Sequence, residues 1–273
     1  MATKEELMAQ GFDEATAELL AKTSGTQSGG GMPFPVLKFN YDQKEVLVDK
    51  GIKKGEFIAG WKIDNKKLEV VEEGEVLPNP MDFYVVASVY QCNHYDTQTR
   101  STDIQTDIFY SPYDTPKMVD KKSGLTIKAL KEAGKKVVFN NILLLMVKTE
   151  DGYKPYLHYM HGTNYHKWSE QIGEAGVDPD AITLRTNFTV KPKKVPTDFQ
   201  PAWVMELVSF SERTPKEISD SVKEVAEVIK KFNKWVESTN AGESIAEKNK
   251  MVAGSTAAQG VPEVDIDEDE MPF

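Results

Sequence analysis

The sequence predicts a mainly β chain, a barrel or a sandwich, and three observations carry that expectation. Between about residues 33 and 210 the apolar residues fall in short runs, several alternating with period two, separated by Gly, Pro, Asn and Asp. No βαβ unit repeats in that stretch. Only a small helix is predicted between the middle strands, too little for a layer of helices.

Taken in order, residues 3–22 read as a small helical segment. Thr3 and Glu6 make a capping-box pair, Gly11 breaks the run, and Asp13 caps a second helix carrying Ala17, Leu19 and Leu20. Residues 23–32 form a flexible Gly/Ser/Thr linker. The body, residues 33–213, opens with short strands at 36–39, 56–62 and 67–71. The clearest strand is 82–91, where alternation puts Phe83, Val85, Ala87 and Val89 on a core face and Tyr84, Val86, Ser88 and Tyr90 on the other. A strand at 104–110 follows, then a short helix at 126–133 stopped by Gly134. The near-continuous apolar run 137–148 predicts a central strand buried on both faces, and Asp151-Gly152 turns it into a partner at 154–161. A short helix at 164–172 precedes strands at 182–191 and 203–210.

Thr214-Pro215-Lys216-Glu217 opens the best-defined helix, 214–237, with Thr as cap, Pro at the first position and Glu closing the box. Ile218, Val222, Val225, Ile229, Phe232 and Val236 alternate spacings of four and three, so one face is buried, across the barrel or in a helical dimer seam. Residues 238–262 turn to Ala, Gly, Ser, Thr, Asn and Gln, a disordered linker.

Composition narrows the function. The formal charge is −10, yet six of the acids and no base lie in residues 263–273, so the rest of the chain carries −4. Of 33 basic residues only Arg100, Arg185 and Arg213 are arginine. Lysine is a mobile point charge against phosphate, whereas base readout in a duplex groove relies on the arginine fork. That balance fits sequence-tolerant tracking of a backbone. A single cysteine, Cys92, suits a reducing cytoplasm, the N-terminus lacks a signal peptide's basic start and apolar stretch, and the longest apolar run is too short for a membrane span.

Residues 263–273 read Glu-Val-Asp-Ile-Asp-Glu-Asp-Glu-Met-Pro-Phe, an acidic run closed by an apolar plug that ends in the terminal carboxylate. Such an ending is a docking peptide: Phe273 fills a pocket, Pro272 limits the entropy lost, and the acids steer it towards basic surfaces. It resembles the C-terminal tip of bacterial and phage single-stranded-DNA-binding proteins. The resemblance implies a partly open, five-stranded oligonucleotide-binding (OB) barrel, here with insertions near 92–123 and 161–201. It also implies that Asp265, Asp267, Glu268, Asp269, Glu270, Met271, Pro272 and Phe273 recruit replication, recombination and repair enzymes of the polymerase, primase or helicase class and compete with DNA for the groove. The body length and the N-terminal helices favour a phage origin.

Binding single strands needs stacking rings beside phosphate-binding cations. The sequence offers Trp61 and Lys62 with Lys53 and Lys54; Tyr90 and Tyr95 with Arg100; Tyr110 and Tyr113 with Lys121 and Lys122; and Tyr153, Tyr156, Tyr159, Tyr165 and Trp168. Lys191, Lys193 and Lys194 add a cationic strand end. Trp61, Tyr90, Tyr95, Tyr113 and Tyr156 are the preferred stacking rings, because each has polar or basic neighbours or lies off the core face; Phe83, Trp203 and Phe210 are assigned to the core.

Cys92 with His94, and His158 with His161, lack the tight Cys/His pairs of zinc sites and read as groove or turn residues, so no metal or other cofactor is expected. A metal-dependent nuclease or phosphoesterase using acids such as Asp96, Asp103, Asp107, Asp178 and Asp180 is disfavoured, because the Pro179-Asp180 pair is followed by no acid in residues 181–194 and no phosphate-loop signature occurs. The expectation is a non-enzymatic, cytoplasmic single-strand-binding protein; the alternative is an adaptor whose body never touches DNA.

Overall fold

The computed structural model describes residues 32–40, 45–64, 69–96, 101–178, 182–197 and 201–241. The predicted N-terminal helices, the 238–262 linker beyond residue 241, the acidic tip and Arg100 lie outside the described residues. The chain divides into two compact units, one holding residues 34–211 and the other the helical stretch that begins at Glu212.

In chain order the elements are β1 (Val36–Phe39), α1 (Glu45–Val48), β2 (Phe57–Ala59), β3 (Lys62–Asp64), β4 (Glu69–Glu72), β5 (Glu75–Val76), β6 (Met81–Asp96) and β7 (Ser101–Gln105). There follow a 3₁₀ turn (Pro112–Lys117), α2 (Ile127–Glu132), β8 (Val138–Thr149), β9 (Gly152–Met160), α3 (Gly162–Glu174), a kinked turn (Ile182–Arg185), β10 (Thr186–Val195), β11 (Ala202–Glu212) and α4 (Pro215–Asn240). The chain is mainly β, and its large sheet curls into a half-barrel. Its strand order is β11-β10-β6-β8-β9-β1-β2-β5, with β7 paired to β6 beside that path and β3-β4 a separate hairpin.

Five strands set the wiring. β6, β8 and β9 form an antiparallel meander, and β10 returns after α3 to pair with the start of β6, Asn187 opposite Tyr84 and Val190 opposite Met81. Three adjacent strands and a fourth that comes back beside the first make a Greek key. β11 adds outside β10, and β1 pairs parallel to β9, Leu37 opposite His158.

One face of the sheet and α3 bury the main core: Phe83 and Val85 from β6, Leu143, Leu145 and Val147 from β8, and Phe188 from β10 meet Trp168 and Ile172 of α3. The Phe83 and Phe188 centroids are 5.7 Å apart and Trp168 meets Phe188 at 5.3 Å. Each large side chain so buried stabilises the fold by roughly 1.5–3 kcal/mol. A second cluster on the same sheet, Cys92, Ile104, Met118, Ile127, Leu130 and Val137, lies under the insertion between β6 and β8, where burial pushes the Cys92 thiol up to about 12.

A β-bulge overturns one sequence expectation. The β6–β8 register shifts between Val85 and Ala87, so an extra residue enters β6 and every later side chain changes face. Ser88, Tyr90 and Cys92 therefore share a face with Phe83, rather than lying opposite it. Phe210, expected in the core, is 42% exposed on the outer part of β11. The strand expected at 104–110 stops at Gln105, with Phe109 bridged only to Tyr90. β10 starts four residues late because Leu184 takes a left-handed φ of 65° and kinks the chain.

Among the described residues the half-barrel is not closed by strand pairing along β11. Side chains of α3 take the place of a neighbouring strand: Asn164 Oδ1 accepts from the Met205 N–H at 3.0 Å, and Gln171 accepts from the Leu207 N–H at 2.7 Å while donating to the Met205 carbonyl at 3.0 Å. Asn164 Nδ2 lies 3.1 Å from His158 Nε2, and His158 Nδ1 lies 3.0 Å from the Leu37 carbonyl. Those partners fix the neutral tautomer with the proton on Nδ1. Burial, with His161 adding repulsion, pushes His158 down to about 4.

α4 forms as its cap predicts: Thr214 Oγ1 accepts from the Glu217 N–H at 3.2 Å and the Glu217 carboxylate accepts from the Thr214 N–H at 2.7 Å. Val225, Phe232 and Val236 of its apolar stripe are buried, together with Ala226 and Val228.

Candidate nucleic-acid interface

The most open aromatic ring among the described residues belongs to Tyr113, 90% exposed in the 3₁₀ turn of the insertion, with Tyr110 at 46% three residues before it. Ser111 Oγ accepts the Tyr113 N–H at 3.2 Å and Thr115 Oγ1 donates to the Pro112 carbonyl at 2.6 Å, so the turn is fixed by its own hydroxyls. Between residues 101 and 137 seven lysines face five acids, a basic stretch in an acidic chain.

Asp120 holds the lysine-bearing turn. Its carboxylate accepts from the Gln105 N–H at 2.9 Å and from the Ser123 N–H and hydroxyl at 2.8 and 2.7 Å. Burial alone would raise this carboxyl; the hydrogen bonds outweigh it and hold it below its ordinary value. The adjacent Lys121 pairs with Asp107 at 2.9 Å, and Lys122 donates to the Thr102 carbonyl at 2.9 Å. The structure therefore brings Tyr110, Tyr113, Lys121 and Lys122 into one insertion, and Lys117, paired with Asp114 at 2.6 Å, joins them.

A second group forms around Trp203. This residue is half-buried against the core, and Lys194 Nζ lies 5.8 Å from its ring centroid. The far edge of the indole rests on Gly55, where a Cβ would meet ring carbon Cη2 at 2.3 Å, so the turn bearing exposed Lys53 and Lys54 comes up against this tryptophan. Gly55 also has φ +83°. Gly55→Ala is expected to lower stability by about 2 kcal/mol through overlap and left-handed strain. Chemical denaturation with tryptophan fluorescence checks it, and an unchanged midpoint would show the contact to be dispensable. Lys191 and Lys193 both pair with Glu206, and these hydrogen bonds, Lys193 first, hold its carboxyl below the ordinary value.

Other sequence candidates go elsewhere. Tyr156 is 1% exposed and its hydroxyl donates to Glu75 at 2.6 Å, so it has no open face for a base and belongs to the core. Trp168 is likewise core. Trp61 is partly buried against Leu47, Ile52 and Ile58 and donates through Nε1 to the Glu75 carbonyl at 3.3 Å, while Lys62 pairs with Glu72. Tyr95 is half-buried at the β6–β7 bulge, and Tyr153 lies 5.1 Å from Tyr84. Tyr90 stacks on Phe139 at 5.7 Å and 25°.

Phe139 escaped the sequence reading because it lies in the apolar run 137–148; the signal was the amide pair Asn140-Asn141 inside that run. Among the described residues no three His, Cys, Asp or Glu side chains gather as a metal site, and no helix is long and apolar enough to cross a membrane. Compared with protein-family models, curated proteins and solved structures, the chain matches none.

Proposed function

We propose that the chain binds single-stranded DNA without sequence selectivity, and that its acidic tip recruits enzymes of replication, recombination and repair. The observation that carries the reading is the Greek-key order of β6, β8, β9, β10 and β11. Five strands so wired follow the plan of a partly open OB barrel, which holds oligonucleotides with the loops joining its first and second and its fourth and fifth strands. Here the first of those connections is the insertion with Tyr113, Lys121 and Lys122, and the second is the segment that joins β10, which carries Lys194, to β11, which carries Trp203. The two lie at opposite ends of β6, since Val190 pairs with Met81 while the insertion leaves from Asp96. A strand held by both runs along the length of the sheet.

Anisotropy titration of the full chain with labelled oligo-dT, and with a duplex of equal length, tests the reading. Binding to the single strand alone is expected, with a log–log salt slope near −3 for about four neutralised phosphates. Tyr113→Ala is expected to weaken it about tenfold, the loss of roughly one stacked base. Absence of binding to either DNA would overturn the proposal and leave the tip as the functional element of an adaptor.

A further inference from the structure

The face of β6 and β8 that carries Phe83 is covered from two directions. α3 seals one end over Phe83, Leu145 and Phe188, and the insertion seals the other over Cys92, Ile104 and Val137, each of these at 8% exposure or less. Between the covers the sheet presents Ser88 and Tyr90 from β6 and Phe139 and Asn141 from β8. Tyr165, from the first turn of α3, lies alongside, 5.8 Å from Phe139 at 68°. Here the covering is incomplete: Tyr90, Phe139 and Tyr165 are only half-buried, so three large rings in contact keep part of their surface open.

The row is not purely apolar. Asn141, 6% exposed, accepts through Oδ1 from the Ser88 hydroxyl at 2.7 Å, which orients the amide. Its Nδ2 donors have no acceptor among the described residues. Rings with an oriented amide donor beside them match a flat heterocycle carrying acceptors on its edge better than an alkyl chain, which would leave the donor unpaired. The opposite face of the same strands offers no such place, because Ile142, Leu144, Met146 and Leu157 are all at 0% exposure.

Resting on the single-strand reading above, we infer that the strip between α3 and the insertion is a nucleobase subsite. One or two bases stack against Tyr90, Phe139 and Tyr165, and a ring carbonyl accepts from Asn141. Tyr113 then serves a neighbouring nucleotide outside the strip.

Oligo-dT substituted with 5-iodouracil, irradiated in complex with the unaltered full chain and mapped by peptide mass spectrometry, tests the assignment. Crosslinks at Tyr90, Phe139 or Tyr165 are expected, with Phe139→Leu weakening oligo-dT binding about tenfold. Crosslinks confined to Tyr110 and Tyr113, or a folded F139L chain that binds as tightly as the unaltered one, overturn the subsite and leave single-strand binding standing. Failure of the unaltered chain to bind oligo-dT removes both. The crosslinking arm does not depend on whether the variant folds.

Discussion

Replacing Asn164 with leucine is expected to cost about 4 kcal/mol of folding stability, read from the midpoint of chemical denaturation at neutral pH. Leucine keeps the same branched heavy-atom skeleton and is the larger side chain, so no cavity opens and the loss is not a cavity effect. It comes from two buried groups left without partners, the Met205 N–H and His158 Nε2, which Asn164 bridges at 3.0 and 3.1 Å. An orphaned buried polar group costs roughly 1–3 kcal/mol, and two of them together approach the expected figure. Gln171→Leu, at a half-buried position nearer solvent, is expected to cost less, since water can reach the freed groups. Equal and small effects from both would mean that β11 needs no support from α3.

Acidification is expected to weaken the same junction. His158 titrates near 4 in the folded chain against an ordinary value of 6.5. Below pH 6.5 the unfolded chain takes up a proton that the folded chain refuses, so stability falls with pH until the folded histidine also protonates near 4. At about 1.4 kcal/mol per pKa unit, the loss across that window is about 3 kcal/mol. His161, also pushed down to about 4 by burial, adds to it in the same direction. Denaturation midpoints measured between pH 7.5 and 4 check the slope, and His158→Gln, which can donate to the Leu37 carbonyl while accepting from Asn164, should flatten it. A slope that persists in full with glutamine would assign the acid sensitivity to other groups.

The sequence made the β character, the capped helix α4 and the doubly buried β8 legible because each rests on a local pattern: short alternating runs, a Thr-Pro-x-Glu box and an unbroken apolar run. The faces of β6 were not legible. A single extra residue, Val86, reverses the alternation, and the bulge is a property of pairing with β8 rather than of β6's own composition. Tyr156 was misjudged for a related reason: its polar and basic neighbours in sequence say nothing of Glu75, far away along the chain, whose carboxylate accepts a hydrogen bond from its hydroxyl. The cluster of Tyr113, Lys121 and Lys122 was readable because one insertion holds it, whereas the row of Tyr90, Phe139 and Tyr165 joins three elements and emerges only from the register.

The amides of Asn164 and Gln171 along β11 have a consequence for behaviour in crowded solution. A free strand edge is a template on which another chain can add, the usual starting point of intermolecular sheet growth. Around Met205 and Leu207 that template is already occupied by side chains of the same molecule. An incoming strand would have to displace hydrogen bonds that are made within one polypeptide and re-form at high effective concentration. At this stretch the fold guards its own open seam against aggregation without closing the barrel.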